Sequence, residues 1–175
     1  CMDRLHTIHV FTHDSIALGE DGPTHQPIEQ VMNLRCVPNM TVIRPGDACE
    51  TVEAWKAAVR NGQGPTALVF TRQNLPVLDP ELYDSTTGPA RGAYVLSDPK
   101  KGRAGVILIA SGSEVSLALD ACRVLGGKGI DARVVSMPSW ELFAEQPRDY
   151  REAVLPADFP KLAIEAGSTL GWRDH

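Results

Sequence analysis

Short apolar runs, each closed by a polar or glycine-containing stretch, recur along the first 75 residues. Thr7 to Thr12 (T-I-H-V-F-T) is rich in branched and aromatic side chains and predicts a short buried strand. Pro27 sits where it can open a helix, with Ile28, Val31, Met32 and Cys36 near helical spacing. Asn39 marks a turn before a second strand, Met40 to Ile43. Asp47 is placed to cap a helix from about Ala48 to Arg60, with Val52, Trp55, Ala58 and Val59 as its expected inner face. Asn61-Gly62 and Gly64-Pro65 end that helix, and a third strand, Thr66 to Phe70, leads into Thr71-Arg72-Gln73-Asn74.

Strand, helix, strand, helix, strand is the signature of a parallel sheet covered by helices, and the weak alternation within the strands agrees with burial on both faces. In such sheets ligands sit beyond the carboxyl ends of the strands. His13 lies just past the first strand, Arg44 past the second and Arg72 past the third, which places His13 and Arg72 at one expected site.

The rhythm repeats after a proline- and glycine-containing stretch. The expected division is residues 1–75, a linker over 76–91, and a second unit over 92–175 that stops before a closing helix. Gly92 to Leu96 reads as an edge strand, and Lys100 to Arg103 as a solvated basic turn. Val106 to Ala110 is a strand, and Ser111-Gly112-Ser113 is expected to cap a helix from Glu114 to about Leu125, stopped by Gly126, Gly127 and Gly129. A strand from Ala132 to Met137, a helical turn at Trp140 to Phe143 and a strand from Leu162 to Ala166 follow. The fold class is α/β, with two three-layer, parallel-sheet units, both incomplete.

Composition narrows the function classes. With 43% hydrophobic residues among 175, the chain has enough apolar material for a core. A net charge of −5 argues against non-specific binding to nucleic acid or anionic membrane. The apolar runs reach about five residues, against about 20 for a membrane span, and no signal peptide is visible. Cys1, Cys36, Cys49 and Cys122 form no metal-ligand spacing; the last three are expected to be buried free thiols in a reducing, cytoplasmic compartment. Neither end looks like a natural boundary, so a fragment of a longer polypeptide is expected.

The densest chemistry lies between His13 and Pro27, where two imidazoles and three carboxylates flank a glycine-rich turn. Asp21-Gly22-Pro23-Thr24 is a turn tetrad that would hold His25 on a rigid backbone, where a neutral imidazole can exchange a proton or bond a substrate oxygen. Asp21 could orient His25, grip a substrate hydroxyl, or simply cap the turn. His13 and Arg72 suit an anionic group, since a guanidinium meets phosphate bidentately. Arg44 reads as structural, with Asp47 a possible partner. Ser111 to Glu114 lacks the lysine of a phosphate-binding loop, and capping by Ser113 is the simpler account. Trp55 is expected in the core, and Trp140 at a site mouth or a domain interface.

The stretch T-H-D-S-I-A-L-G-E-D-G-P-T-H-Q-P-I-E, Thr12 to Glu29, is similar to the pyrimidine-binding domain of transketolases. The resemblance continues in N-M-T-V-I-R-P-G-D (Asn39 to Asp47) and G-P-T-A-L-V-F-T-R-Q-N-L-P (Gly64 to Pro76). It resumes, in the family's carboxy-terminal domain, in V-I-L-I-A-S-G-S-E-V (Val106 to Val115), A-R-V-V-S-M-P-S-W-E-L-F (Ala132 to Phe143) and I-E-A-G-S-T-L-G-W (Ile164 to Trp172). Deoxyxylulose-phosphate synthases share the D-G-x-T-H core but usually lack the H-D-S-I and H-Q-P flanks.

That resemblance implies an enzyme dependent on thiamine diphosphate and Mg2+ or Ca2+, moving a two-carbon ketol unit from a ketose phosphate to an aldose phosphate in the pentose phosphate or reductive sugar phosphate cycle. It implies that His13 and Arg72 bind substrate phosphate, that Asp21 bonds a donor-sugar hydroxyl, and that His25 is catalytic, meeting oxygens near the thiazolium carbon. The family's diphosphate domain, its metal motif and the glutamate that activates the aminopyrimidine would lie upstream of residue 1. No metal ligand and no cofactor-binding residue is therefore assigned here, and the 175 residues alone are expected to be inactive. The implied assembly is a homodimer, or a complex with a complementing upstream fragment. Dihydroxyacetone synthase, and a non-enzymatic module retaining the fold, are the alternatives.

Overall fold

The computed structural model describes residues 1–19, 21–99 and 103–175. Glu20 of the histidine-rich stretch and most of the Lys100 to Arg103 turn lie outside them. The first unit is built from β1 (Ile8–Phe11), α1 (Gln30–Arg35), β2 (Thr41–Ile43), α2 (Ala48–Arg60) and β3 (Thr66–Val69). All its strands run parallel in the order β1-β3-β2, with Phe11 opposite Val69 and Ile43 opposite Leu68. Central β3 is buried on both faces. Ala67 and Val69 pack with Val31, Met40 and Val42 on the α1 side, and Leu68 packs with Ile43, Ala54 and Ala58 on the α2 side.

The α2 helix begins and ends where the sequence predicts, and the Asp47 carboxylate accepts the Glu50 amide at 2.7 Å. Its inner face is different. The buried positions are Glu50, Ala54 and Ala58, whereas Val52, Trp55 and Val59 are exposed and Trp55 stacks against Phe70 at the surface. Small residues at a four-residue spacing let α2 approach β3 and the 3-10 turn Gly88–Arg91 closely, which bulky side chains would prevent. The β1 strand is likewise an edge rather than a buried strand, with Val10 49% and Phe11 42% exposed. Pro27 opens no helix. A 3-10 turn at Pro23–His25 precedes it, α1 starts only at Gln30, and Ile28 and Cys36 are exposed.

The second unit comprises β4 (Tyr94–Ser97), β5 (Val106–Ala110), α3 (Glu114–Gly127), β6 (Ala132–Ser136), α4 (Trp140–Ala144), α5 (Arg148–Val154) and β7 (Lys161–Ile164). Its sheet has the order β4-β6-β5-β7, with β4 antiparallel at one edge and the other pairs parallel. The chain passes from β5 to β6 on one side and returns to β7 on the other, so the carboxyl end of β5 is the switch point of this sheet. Pro147 stands at the start of α5, a helix the apolar pattern does not predict. Cys1 and Cys36 are exposed and Cys49 and Cys122 half-buried; all are free thiols, and none is a core residue.

A polar seam joins the two sheets. Gly46 lies against α3, where a Cβ would come within 2.7 Å of Val115 Cγ2, so only glycine fits without displacement. The Arg44 amide donates to Pro138 at 2.8 Å, and the Gly112 amide donates back to the Arg44 carbonyl at 3.1 Å. Asp47 serves this seam as well as α2, because its second oxygen accepts the Leu78 amide at 3.1 Å. Asp47→Ala strands two buried amides and is expected to lower the unfolding free energy by about 2–3 kcal/mol in urea titration. A loss under about 0.5 kcal/mol would mean that solvent or neighbouring groups replace the cap.

Candidate functional site

His13 follows β1 directly and adopts a left-handed backbone, φ 65°, which few non-glycine residues adopt, histidine more readily than most. Its imidazole is exposed, with Nδ1 2.8 Å from Thr12 Oγ1. It lines a hollow of about 340 Å3 together with Phe11, Gln30, Asn33, Leu34 and Val69. Neighbouring β3 leaves the sheet at the same end, and the Phe70 amide bonds the Phe11 carbonyl at 2.8 Å. Thr71 and Arg72 therefore depart alongside Thr12 and His13. Arg72 is exposed and has no ion-pair partner among the described residues.

His25 closes the 3-10 turn Pro23–His25, which Gly22 opens at φ 73° and Pro23 stiffens. The His25 amide bonds the Gly22 carbonyl at 3.2 Å, and Nδ1 lies 2.9 Å from Thr24 Oγ1. Thr24, not Asp21, orients the ring, leaving Nε2 available. Asp21 is exposed and forms no hydrogen bond among the described residues. The four side chains His13, Asp21, His25 and Arg72 do not bond one another.

The charged group that sequence reasoning underrated is Arg44, which is fully buried. It does not pair with Asp47. Its Nε donates to Asp14 at 2.7 Å, its Nη2 lies 2.6 Å from the same carboxylate oxygen, and its Nη1 donates to Glu114 at 2.6 Å and to the Ser111 carbonyl at 2.8 Å. Ser113 holds the N-cap position of α3, as expected, but its side chain caps no amide: its hydroxyl accepts from Arg44 at 3.3 Å and donates to Glu114 at 2.7 Å. Gly112, at φ 55°, is required because a Cβ there would sit 2.6 Å from the Arg44 guanidinium. Burial alone would lower the Arg44 pKa, but the Asp14 and Glu114 carboxylates outweigh it and raise it. The signal in sequence was the S-G-S-E run, whose glycine and acidic residue suit an incoming guanidinium.

A second buried cation flanks the first. Arg35, at the end of α1, forms a bidentate pair with Glu165 at 2.8 Å on both nitrogens and stacks over Trp140 at 3.9 Å. Trp140 therefore lines the seam between the units, edge-on to Trp172 at 4.8 Å. Glu165 also accepts the Ser111 hydroxyl at 2.6 Å and the Trp172 indole at 3.1 Å. Burial pushes its carboxyl up, yet the Arg35 hydrogen bonds and charge, helped by Ser111 and Arg44, hold it below the ordinary range. Glu50 shows the reverse balance. Burial dominates and raises it, although it accepts from Ser136 and Tyr94 across the seam and from the Gly46 amide within its own unit. The Tyr94 phenol is raised in turn, first by burial and then by Glu50.

Because Glu165 is held below its ordinary value of 4.5, its stabilising contribution is present above that value and lost as pH falls through the depressed folded one. The stability gap between the parent protein and Glu165→Gln is therefore expected to be widest near neutral pH and to narrow below about pH 4.5. Unfolding curves followed by tryptophan fluorescence across that range check this; a gap independent of pH contradicts it.

Among the described residues, no group of three or more His, Cys, Asp or Glu side chains converges so as to hold a metal ion. No helix among them is long and apolar enough to cross a membrane. Residues 2–77 match the family "transketolase, pyrimidine binding domain", and residues 92–175 match "transketolase-like TK C-terminal domain". The transketolase of Halalkalibacterium halodurans is 55% identical over 98% of this chain, which covers 26% of that protein. The crystal structure of a Pichia stipitis transketolase complex with sedoheptulose 7-phosphate superposes with a TM-score of 0.91 at 46% identity, over 98% of this chain and 25% of that one. A split-gene transketolase, described as an inactive β4 tetramer, superposes with a TM-score of 0.65 at 26% identity, over 98% of this chain and 60% of that one. The chain thus spans about a quarter of the length of the curated relatives it matches. It belongs to the transketolase family, and its two sheets correspond to the family's pyrimidine-binding and carboxy-terminal domains.

Proposed function

We propose that these residues form one wall of the sugar-phosphate channel of a transketolase that transfers a two-carbon ketol unit from a ketose phosphate to an aldose phosphate. The observation that carries this reading is the departure of His13 and Arg72 from the same end of the adjacent strands β1 and β3. Arg72 has no ion-pair partner among the described residues, and a guanidinium and an imidazole that leave the same end of adjacent strands suit a phosphate dianion. Asp21, exposed on the turn before His25, accepts a hydrogen bond from a donor-sugar hydroxyl. At His25 the Thr24 hydroxyl engages Nδ1, which leaves Nε2 to meet a hydroxyl or carbonyl oxygen of the bound ketol. Sugar-phosphate recognition by the Pichia stipitis relative supports the substrate class.

Thiamine diphosphate supplies the carbon–carbon chemistry when bound. The cofactor and its Mg2+ or Ca2+ are assigned to the whole protein, with the main binding groups outside these 175 residues. We divide the chain at the stretch 76–91, of which 78–91 falls between the two family matches. The exposed β1 edge, with Val10 and Phe11 uncovered, supports completion by further chain, whether in a homodimer or with a complementing fragment. Four free thiols favour a reducing, cytoplasmic setting.

In the full-length protein with thiamine diphosphate and Mg2+, Arg72→Ala is expected to raise KM for xylulose 5-phosphate by roughly 30–100-fold, the loss of a charge-assisted contact. KM for unphosphorylated hydroxypyruvate should stay within about twofold. Equal losses on both donors contradict the phosphate role of Arg72. Turnover by residues 1–175 alone, as control, contradicts their being a single wall.

A further inference from the structure

Parallel α/β sheets bind ligands at the switch point beyond their carboxyl strand ends. In the second sheet that crevice is filled from within. Ser111 follows β5, Pro138 follows β6 and Glu165 follows β7, and Arg44 reaches all three from the end of β2. The guanidinium then passes the constraint onward. Its other side holds the Asp14 carboxylate, which is 2% exposed and directly follows His13. The Asp14 carbonyl is pinned separately by Gln30 Nε2 at 2.5 Å, and Ser15 donates to the Asp14 carboxylate at 3.3 Å.

His13 itself has no such anchor. Its only side-chain hydrogen bond among the described residues is to its neighbour Thr12, yet its backbone stays at φ 65°. For a residue with a Cβ that region is less favourable than the right-handed one, so the groups flanking His13 bias which of the two it adopts. The flank here is Asp14, and Asp14 is fixed by Arg44. Arg44 is in turn fixed by Glu114, whose Oε2 also accepts the Ala166 amide at 3.0 Å.

We propose that Glu114, acting through Arg44 and Asp14, is a positioning residue for the His13 phosphate subsite, so that the second sheet sets substrate specificity without touching substrate. This rests on the assignment of His13 to phosphate binding. Loss of the Glu114 charge removes the one carboxylate within hydrogen-bond distance of Nη1 and leaves that side of the guanidinium to Ser111 and Ser113, which loosens its hold on Asp14 and lets His13 leave its left-handed conformation. The exposed imidazole then swings away from the phosphate while the ketol end of the site is unchanged. A carboxylate that merely joined the two units would lower stability and leave donor selectivity alone.

The test uses the full-length protein with thiamine diphosphate and Mg2+. Glu114→Gln is expected to raise KM for xylulose 5-phosphate about tenfold, with kcat and the hydroxypyruvate KM within about twofold, and Glu114→Asp to recover most of the loss. A readout independent of turnover is the 15N shift of the His13 imidazole during titration with inorganic phosphate, whose apparent affinity should weaken by a similar factor. Asp14→Asn keeps the side-chain shape; it should show the same selective loss and decides the matter if Glu114→Gln does not fold. Reduced stability with unchanged donor selectivity, or an equal loss on both donors, overturns the proposal. His13→Asn separates this from the underlying assignment. If it leaves phosphate selectivity intact, the subsite reading itself fails; if it abolishes selectivity while Glu114→Gln and Asp14→Asn do not, only the positioning role fails.

Discussion

A fully buried arginine is the constraint around which this chain is arranged. Removing a guanidinium from water costs several kcal/mol unless its donors and charge are met. Arg44 is met by Asp14 on one side and by Ser111, Ser113 and Glu114 on the other. With Arg35, Asp14, Glu114 and Glu165 it forms a cluster of two cations and three carboxylates, so neither sheet neutralises its own charge. Such networks are poor sources of net stability but demanding of geometry, because displacing any member leaves an unpaired buried charge. Seam glycines enforce the same close approach, with Gly46 against Val115 and Gly112 against the guanidinium.

The consequence for function lies in how the two sheets divide their roles. Each presents the carboxyl ends of its parallel strands, the usual place for a ligand. In the second, a protein side chain occupies that place. In the first, the exposed His13 and Arg72 remain available for a ligand, with Asp21 and His25 on the following turn. The buried and exposed layers meet at one peptide, between His13, which faces solvent, and Asp14, which faces Arg44. An imidazole held in a left-handed conformation by a buried ion pair is preorganised in a way that a freely rotating surface histidine is not.

Local signals were read well where local chemistry decides the outcome. The Asp47 cap and both ends of α2 follow from capping and turn residues, and the strand succession follows from short apolar runs. Burial was harder, because it depends on what packs where. Val52, Trp55 and Val59 have the hydrophobicity of a core face, but the tight approach of α2 to β3 selects Glu50, Ala54 and Ala58. The T-I-H-V-F-T run is equally apolar, yet its edge position leaves Val10 and Phe11 exposed. Long-range pairing was not legible at all. Asp47 lies three residues from Arg44 and is a possible partner on sequence alone, whereas Asp14, Glu114 and Glu165 lie 30, 70 and about 120 positions away. The Ser113 hydroxyl follows the same rule, since the S-G-S-E run suits a guanidinium but only the fold shows that Arg44 supplies it.

The central claim is that Arg44 joins the two sheets through the second sheet's carboxylate. A double-mutant cycle between Arg44→Met and Glu114→Gln, with unfolding free energies measured in urea at neutral pH, tests it most directly. A coupling energy of about 2 kcal/mol is expected, because Arg44→Met strands the Glu114 carboxylate only where that charge is present, while the cost of leaving Asp14 unpaired is common to the single and double changes and cancels. Additive effects, with coupling below about 0.5 kcal/mol, would contradict it.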